Sequence, residues 1–139
     1  MNYKIIGKYI KELNFNIPNT KTFYLLSKDI KNYKINIDIK SNRVEQNIIE
    51  VLTSLNLSPT KSDFEIIDTK IVFATIIELQ NDKANKDQLE KIILVEVPSE
   101  IYGDLRKIFV SLFESSGFKD VKISENVDFL NLYNMRKSQ

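Results

Sequence analysis

The sequence predicts an α+β protein, with an antiparallel sheet from the first part of the chain and helices collected toward its end. Three observations predict it. Strand-like alternation of apolar and polar residues recurs before residue 80. The best-marked helical period lies after residue 97. Strands first and helices last is the order of folds that lay helices on an antiparallel sheet. A chain of 139 residues is long enough for one compact domain with a real core. Neither a repeat nor a low-complexity segment divides it, so one domain over 1–139 is expected.

Residues 3–17 alternate in part. Tyr3, Ile5, Tyr9, Leu13, Phe15 and Ile17 share one parity, while Ile6 and Ile10 add apolar character to the other. Pro18-Asn19 ends this strand. Residues 18–32 show no clean period yet hold Phe23, Tyr24, Leu25 and Leu26 in a row. They read as a connection, either folded onto the core or walling an apolar groove. Tyr33, Ile35, Ile37 and Ile39 against Lys34, Asn36, Asp38 and Lys40 give the cleanest period-two pattern, a half-buried strand. Ser41 to Gln46 is polar and predicts a turn. Ile49, Val51, Leu55 and Leu57 form the third strand, and Ser58 to Asp63 the next turn. Residues 64–79 form the fourth strand. Its end, Ile71 to Ile77, is apolar on both faces, which places it centrally or under cover on both sides.

Asn85 is positioned to cap a short helix through Leu89, Ile92 and Ile93, with a short strand over Ile92 to Val97 as the competing reading. The main helix reads as starting at Pro98, with Ser99 as its cap and Glu100 at its positive end. Ile101, Leu105, Ile108, Phe109, Leu112 and Phe113 share one face, and Gly117 supplies the stop. Tyr102 and Val110 lie off that stripe. The helix is therefore either an ordinary core helix or one packed on its own sheet and on another subunit. Phe118 to Ser124 reads as extended. Asn126 then caps a last helix carrying Phe129, Leu130, Leu132 and Tyr133, with Arg136-Lys137 near its negative end.

Composition removes most chemistry. The chain has neither Cys nor His, which excludes disulfides, thiolate sites and Ser-His-Asp triads and disfavours zinc. Three glycines, Gly7, Gly103 and Gly117, form no phosphate-cradling loop. A net charge of +1 with no basic face argues against a nucleic-acid partner. No apolar run approaches the roughly 20 residues that span a bilayer, and no export signal opens the chain, so a cytoplasmic protein without membrane insertion is expected. No catalytic residue, metal or cofactor is expected. Glu12, Asp38, Glu50 and Asp68 are acids an enzyme would use, but none forms a pair with a defensible spacing.

Three separated stretches resemble the bacterial protein-export chaperone family SecB. Tyr9-Ile10-Lys11-Glu12-Leu13-Asn14-Phe15-Asn16-Ile17-Pro18-Asn19 resembles the family's Tyr-x-Lys-Asp-Leu/Ile-Ser-x-Glu-x-Pro opening. Val97-Pro98-Ser99-Glu100-Ile101-Tyr102-Gly103-Asp104-Leu105-Arg106 is similar to its Cys-Pro-x-x-x-Phe-Pro-x-x-Arg motif, with Pro98 and Arg106 kept and Gly103 in place of the second proline. Gly117-Phe118 and Val127-Asp128-Phe129-Leu130-Asn131-Leu132-Tyr133 resemble its Gly-Phe step and its closing Asp/Asn-Phe-x-x-Leu-Tyr/Phe.

The resemblance implies four antiparallel strands with a long helix and a C-terminal helix. It implies a homotetramer, a dimer of dimers, with the long helix at the dimer–dimer contact through Tyr102, Arg106, Val110 and Phe113. The implied activity is an ATP-independent holdase that binds unfolded precursor polypeptides and passes them to the translocase motor SecA. A chaperone dedicated to one partner, such as an antitoxin, is the alternative. Candidate groove walls are Phe23, Tyr24, Leu25, Tyr33, Ile35, Phe129, Leu132 and Tyr133, each equally placed for plain core packing. Motor binding in the family uses acids on the sheet surface. The corresponding positions here are Glu12, Asn16, Asp68 and Lys70, so one acid is neutral and one place carries a lysine.

Overall fold

The structure, a computed structural model, describes residues 3–28, 33–60, 67–80, 85–119 and 123–137. The elements are β1 (Tyr3–Asn16), α1 (Thr20–Lys28), β2 (Tyr33–Glu45), β3 (Ile48–Pro59), β4 (Asp68–Leu79), α2 (Lys86–Lys91), a π-helical stretch (Ile92–Glu96), α3 (Val97–Ser115) and α4 (Phe129–Lys137). The fold is α+β. A four-stranded sheet in the order β1-β4-β3-β2 is antiparallel throughout, and α3 lies across one face.

Burial follows pattern. In β3, Ile49, Val51, Thr53, Leu55 and Leu57 are all buried toward the helix, one residue in two. β4 sits between β1 and β3, and every residue from Ile71 to Thr75 is buried on it. In α3, Val97, Ile101, Leu105, Phe109 and Phe113 are buried at every fourth position; the last four pack with Leu55, Ile71 and Phe73 of the sheet, and Val97 with Ile49, Val51 and Ile77. The helix stops in a Schellman motif. The Phe118 N–H donates to the Phe113 carbonyl and the Gly117 N–H to that of Glu114, each at 3.1 Å, with Gly117 at φ 101°. The Phe118 and Phe113 rings close the motif at 5.4 Å.

Several expectations are corrected. In β1, bulges between Ile5 and Gly7 and between Ile10 and Glu12 invert the alternation twice. Tyr9 therefore sits on the open face of the sheet, opposite Tyr3, Ile5, Leu13 and Phe15, and bonds to Glu50. The connection after β1 is a helix. Asn19 caps α1 by accepting the Thr22 N–H at 2.8 Å, and Leu26 is buried one turn on from Phe23. Ser41 to Glu45 continues β2 as an edge strand, leaving only Gln46-Asn47 as the hairpin turn. Ser58 and Pro59 end β3. Thr60 bends away from it, residues 61–63 of that expected turn and the expected strand start at 64–66 lie outside the described residues, and β4 begins at Asp68.

Ile92 to Val97 is helical, not extended. Asn85 and Gln88 form a reciprocal capping box at α2, and the helix then runs through the π stretch into α3. Pro98 therefore does not open a helix and Ser99 does not cap one. The Val97 N–H reaches back five residues to the Ile92 carbonyl, and this wider turn relieves the clash a proline makes in a tight α-helix. At α4 the cap is Asp128, whose carboxylate accepts the Asn131 N–H at 2.9 Å, rather than Asn126. Residues 120–122 of the expected extended stretch lie outside the described residues.

Candidate functional site

The C-terminal helix builds an apolar cleft against an edge of the sheet. Phe129 is buried among Val95, Tyr102 and the half-buried Ile37 and Ile39 of β2, with its ring edge-on to Tyr102 at 5.9 Å. The Tyr102 hydroxyl donates to the Ser124 carbonyl at 2.8 Å, and the Arg106 Nε–H to that of Ile123 at 3.0 Å. These two bonds fix the segment that carries α4 to its place beside α3. Burial raises the Tyr102 hydroxyl's pKa above the usual tyrosine value, against a lowering by Arg106. What remains open between β2 and α4 is a recess of about 200 Å³. Ile37, Asp38 and Ile39 line one side, Phe129, Leu132, Tyr133 and Arg136 the other, and Leu94 the end. Beyond Phe129, α4 buries little, and Leu130, Leu132 and Met135 stay exposed.

The expected groove residues divide between places. Phe129, Leu132 and Tyr133 line the cleft. Tyr33 is buried in the core, and Ile35 is half-buried against the same core. On α1, Phe23 packs on the Phe118 ring at 4.7 Å and lines a separate recess of about 490 Å³ with Phe15 and Ile17. Leu25 is half-buried. Tyr24 stands exposed, with the Lys28 ammonium 4.4 Å from its ring centre.

The expected partner residues share the open face of the sheet. Asn16 pairs with Asp68, and Glu12 pairs with Val72 next to the pair Asn14–Lys70. The Lys70 ammonium lies 3.5 Å from the Glu12 carboxylate, so lysine partly neutralises the acid. A depression of about 450 Å³ lies between them and Lys11, Asp38 and Lys40, floored by Leu52, Ser54 and Val72. Sequence reasoning gave Glu50 no place here, although it accepts from the Tyr9 hydroxyl and stands 3.5 Å from the Lys11 ammonium. The Tyr9 hydrogen bond, with help from Asn42 and Lys11, holds the Glu50 carboxyl below its usual pKa despite partial burial. The bulge beside Lys11 makes this meeting, and strict alternation hides it.

Of the residues expected at an oligomer contact, Phe113 is fully buried and stacks edge-on with Phe15 at 5.0 Å, so it supplies no outer surface. Tyr102 and Arg106 are engaged by the segment that leads to α4 in the same chain. Val110 is half-buried, and the outward side of α3 carries a recess of about 300 Å³ between Lys107, Ile108, Ser111 and Leu112. Among the described residues no helix is long and apolar enough to cross a membrane.

A family model described as preprotein translocase subunit SecB matches residues 1–139. A relative in Pelagibacter ubique (strain HTCC1062), whose name is that of a protein-export protein SecB, is 38% identical over 135 residues, covering 97% of this chain and 96% of its own. A protein-export protein SecB of Parvibaculum lavamentivorans is 23% identical over 136 residues, covering 98% of this chain and 79% of the relative. Among solved structures, a SecB-like chaperone of Mycobacterium tuberculosis, in complex with a ChAD peptide from an antitoxin, superposes with a TM-score of 0.68 at 10% identity, over 91% of this chain and 88% of that one.

Proposed function

This chain belongs to the SecB family, and from that premise we propose that it is a chaperone of protein export: an ATP-independent holdase that binds unfolded precursor polypeptides and delivers them to the motor SecA. The family match over the full 139 residues is the observation that carries this reading. The apolar cleft between β2 and α4 gives it a physical basis. Removing apolar surface from water is worth about 25 cal/mol per Å², so a short segment covering a few hundred Å² gains several kcal/mol. Association and chain ordering consume most of that gain. One cleft therefore holds a client weakly, and holding a long precursor takes several clefts at once.

A homotetramer supplies them. Its dimer–dimer contact runs along the outward side of α3 through Val110, Ile108 and Leu112. The free edge of β1, where Ile6, Ile10 and Leu13 are each more than two-fifths exposed, makes the other contact. Delivery uses the open sheet face, where Lys70 beside Glu12 and the neutral Asn16 weaken attraction for a basic motor tail. Lys70→Glu with Asn16→Glu is expected to tighten motor binding, most at low salt. Equal binding by wild type and double variant at every ionic strength would refute that route.

The reading as a whole is tested by affinity capture from cells expressing the tagged protein, followed by mass spectrometry. A general holdase brings down many export precursors. Capture of one stoichiometric protein would make this a dedicated chaperone instead, and capture of neither would overturn the chaperone reading.

A further inference from the structure

We infer that the depression on the open face of the sheet, ringed by Lys11, Lys40 and Lys70, takes an acidic segment of a partner protein. This goes beyond the delivery route proposed above, which sets a basic segment on the same face, and it does not rest on client binding in the cleft.

Strand register places the charges. Glu12, Val72, Ser54 and Asp38 form one row across all four strands, with an acid at each end. Lys70 stands two residues before Val72 on β4, to one side of that row, and Lys40 two residues after Asp38 on β2, to the other. The bulge between Ile10 and Glu12 brings Lys11 to the same face, where its ammonium lies 3.5 Å from Glu50. Three ammonium groups from three strands thus surround a floor of Leu52, Ser54 and Val72, in a depression of about 450 Å³.

The acids and the lysines are unequally engaged. Glu50 accepts from Tyr9, Lys11 and Asn42, and Glu12 is held by Lys70 at 3.5 Å. An ammonium carries three N–H donors. Lys11 gives one to Glu50, Lys70 faces one carboxylate, and Lys40 has neither hydrogen bond nor ion pair among the described residues. Three lysines line the depression against two acids, so the lining keeps a surplus of positive charge and most of its N–H donors unspent. The Glu12–Lys70 pair is nearly half exposed on both sides, and a lysine stem is long and flexible, so Lys70 turns toward an arriving carboxylate at little cost. Asp38 is the group that works against an anion. The floor then says that the anion comes on a polypeptide. Leu52 is half-buried and Val72 is 9% exposed, and both offer contact to aliphatic carbon, which inorganic phosphate lacks. The occupant is a segment in which glutamate or aspartate adjoins aliphatic residues, with carboxylates toward the lysine ring and carbon on the floor.

The test titrates the full-length protein, with labelled leucine and valine methyl groups, using a nonapeptide in which glutamate alternates with valine. Leu52 and Val72 report the depression, and Leu94 and Leu132 the β2–α4 cleft. The expected result is saturable shifts at Leu52 and Val72, with affinity falling severalfold as ionic strength rises from about 0.01 M to about 0.15 M. Lys40→Gln should weaken this binding about twofold to fivefold, and Lys11→Gln, Lys40→Gln and Lys70→Gln together at least about tenfold. Asp38→Asn should tighten it about twofold. All four side chains are exposed or half-exposed, so circular dichroism of the variants should match wild type. Tighter binding at Leu52 and Val72 by the peptide with lysine in place of glutamate would overturn the proposal in favour of a basic segment. Shifts confined to Leu94 and Leu132 would make the peptide a client of the cleft and overturn it as well, as would affinity that ignores the lysine substitutions. Succinate binding as tightly as the peptide would make the occupant a free carboxylate rather than a protein segment.

Discussion

Replacing Phe129 with alanine should release α4 without unfolding the sheet. Phe129 is 2% exposed and is the only fully buried residue among the described part of α4. A buried phenylalanine covers about 150–250 Å², worth about 4–6 kcal/mol at 25 cal/mol per Å². Phenylalanine-to-alanine changes in cores cost about 3–5 kcal/mol. A helix of nine residues has no independent stability in water, so its docking depends on that side chain, with a smaller share from half-buried Tyr133. The loss is therefore local. Hydrogen exchange followed by NMR should show the α4 amides from Leu132 to Met135 exchanging about 100-fold faster, or more, as roughly 3 kcal/mol of protection disappears. The β4 amides from Ile71 to Ile77 should keep their rates, and affinity for an extended peptide should fall at least about tenfold as one wall of the cleft is lost. An equal acceleration in α4 and β4 would mean that α4 opens only with the whole fold, and unchanged α4 rates would mean that Phe129 is not its anchor. Either result refutes the reasoning.

Gly117→Ala should destabilise by about 1–2 kcal/mol, read as a fall of several degrees in a thermal melt, because φ is 101° and the new Cβ would sit 3.4 Å from the Phe23 ring. Glu50, with its folded pKa below the unfolded value, contributes stability that is complete above about pH 5 and is lost as pH falls through the lowered pKa. Denaturant titrations between pH 7 and pH 3 should therefore show a shallower acid loss for Glu50→Gln than for wild type. Tyr3, whose hydroxyl donates to Glu100 at 2.8 Å, has a pKa raised by burial and then by that bond. Its stabilisation is complete below about pH 10 and declines above it, so Tyr3→Phe should flatten the alkaline limb of the same titration. Val110→Asp should shift sedimentation from tetramer toward dimer at micromolar concentration, with circular dichroism unchanged.

How much of this was legible in the sequence depended on whether the deciding contact was local. The alternation of Tyr33 to Ile39 and of Ile49 to Leu57 placed β2 and β3, and the stop at Gly117 followed from the φ that a Schellman motif requires. The inversion in β1 was hidden because a bulge is defined by the partner strand, and β4 lies some sixty residues away in sequence. Pro98 misled because its usual role is to start a helix, whereas here a π turn accommodates it inside one. α1 looked like a loop because Phe23 finds its partner in Phe118. At the site, the last helix lines the cleft with Phe129, Leu132 and Tyr133, and their opposite wall, Ile37 and Ile39, is visible only once sheet order makes β2 an edge. Tyr102 and Phe113 look alike as apolar residues of one helix. Only the folded chain shows that Phe113 fills the core and Tyr102 holds the α4 segment.

The central claim, a holdase that works without nucleotide, is tested most directly by light scattering from a chemically unfolded export precursor diluted into buffer with and without the protein. The account predicts suppressed aggregation at a molar excess of protein, to the same extent whether or not ATP and magnesium are present. Aggregation that proceeds unchanged in the presence of the protein, or suppression that appears only when ATP is added, would contradict it.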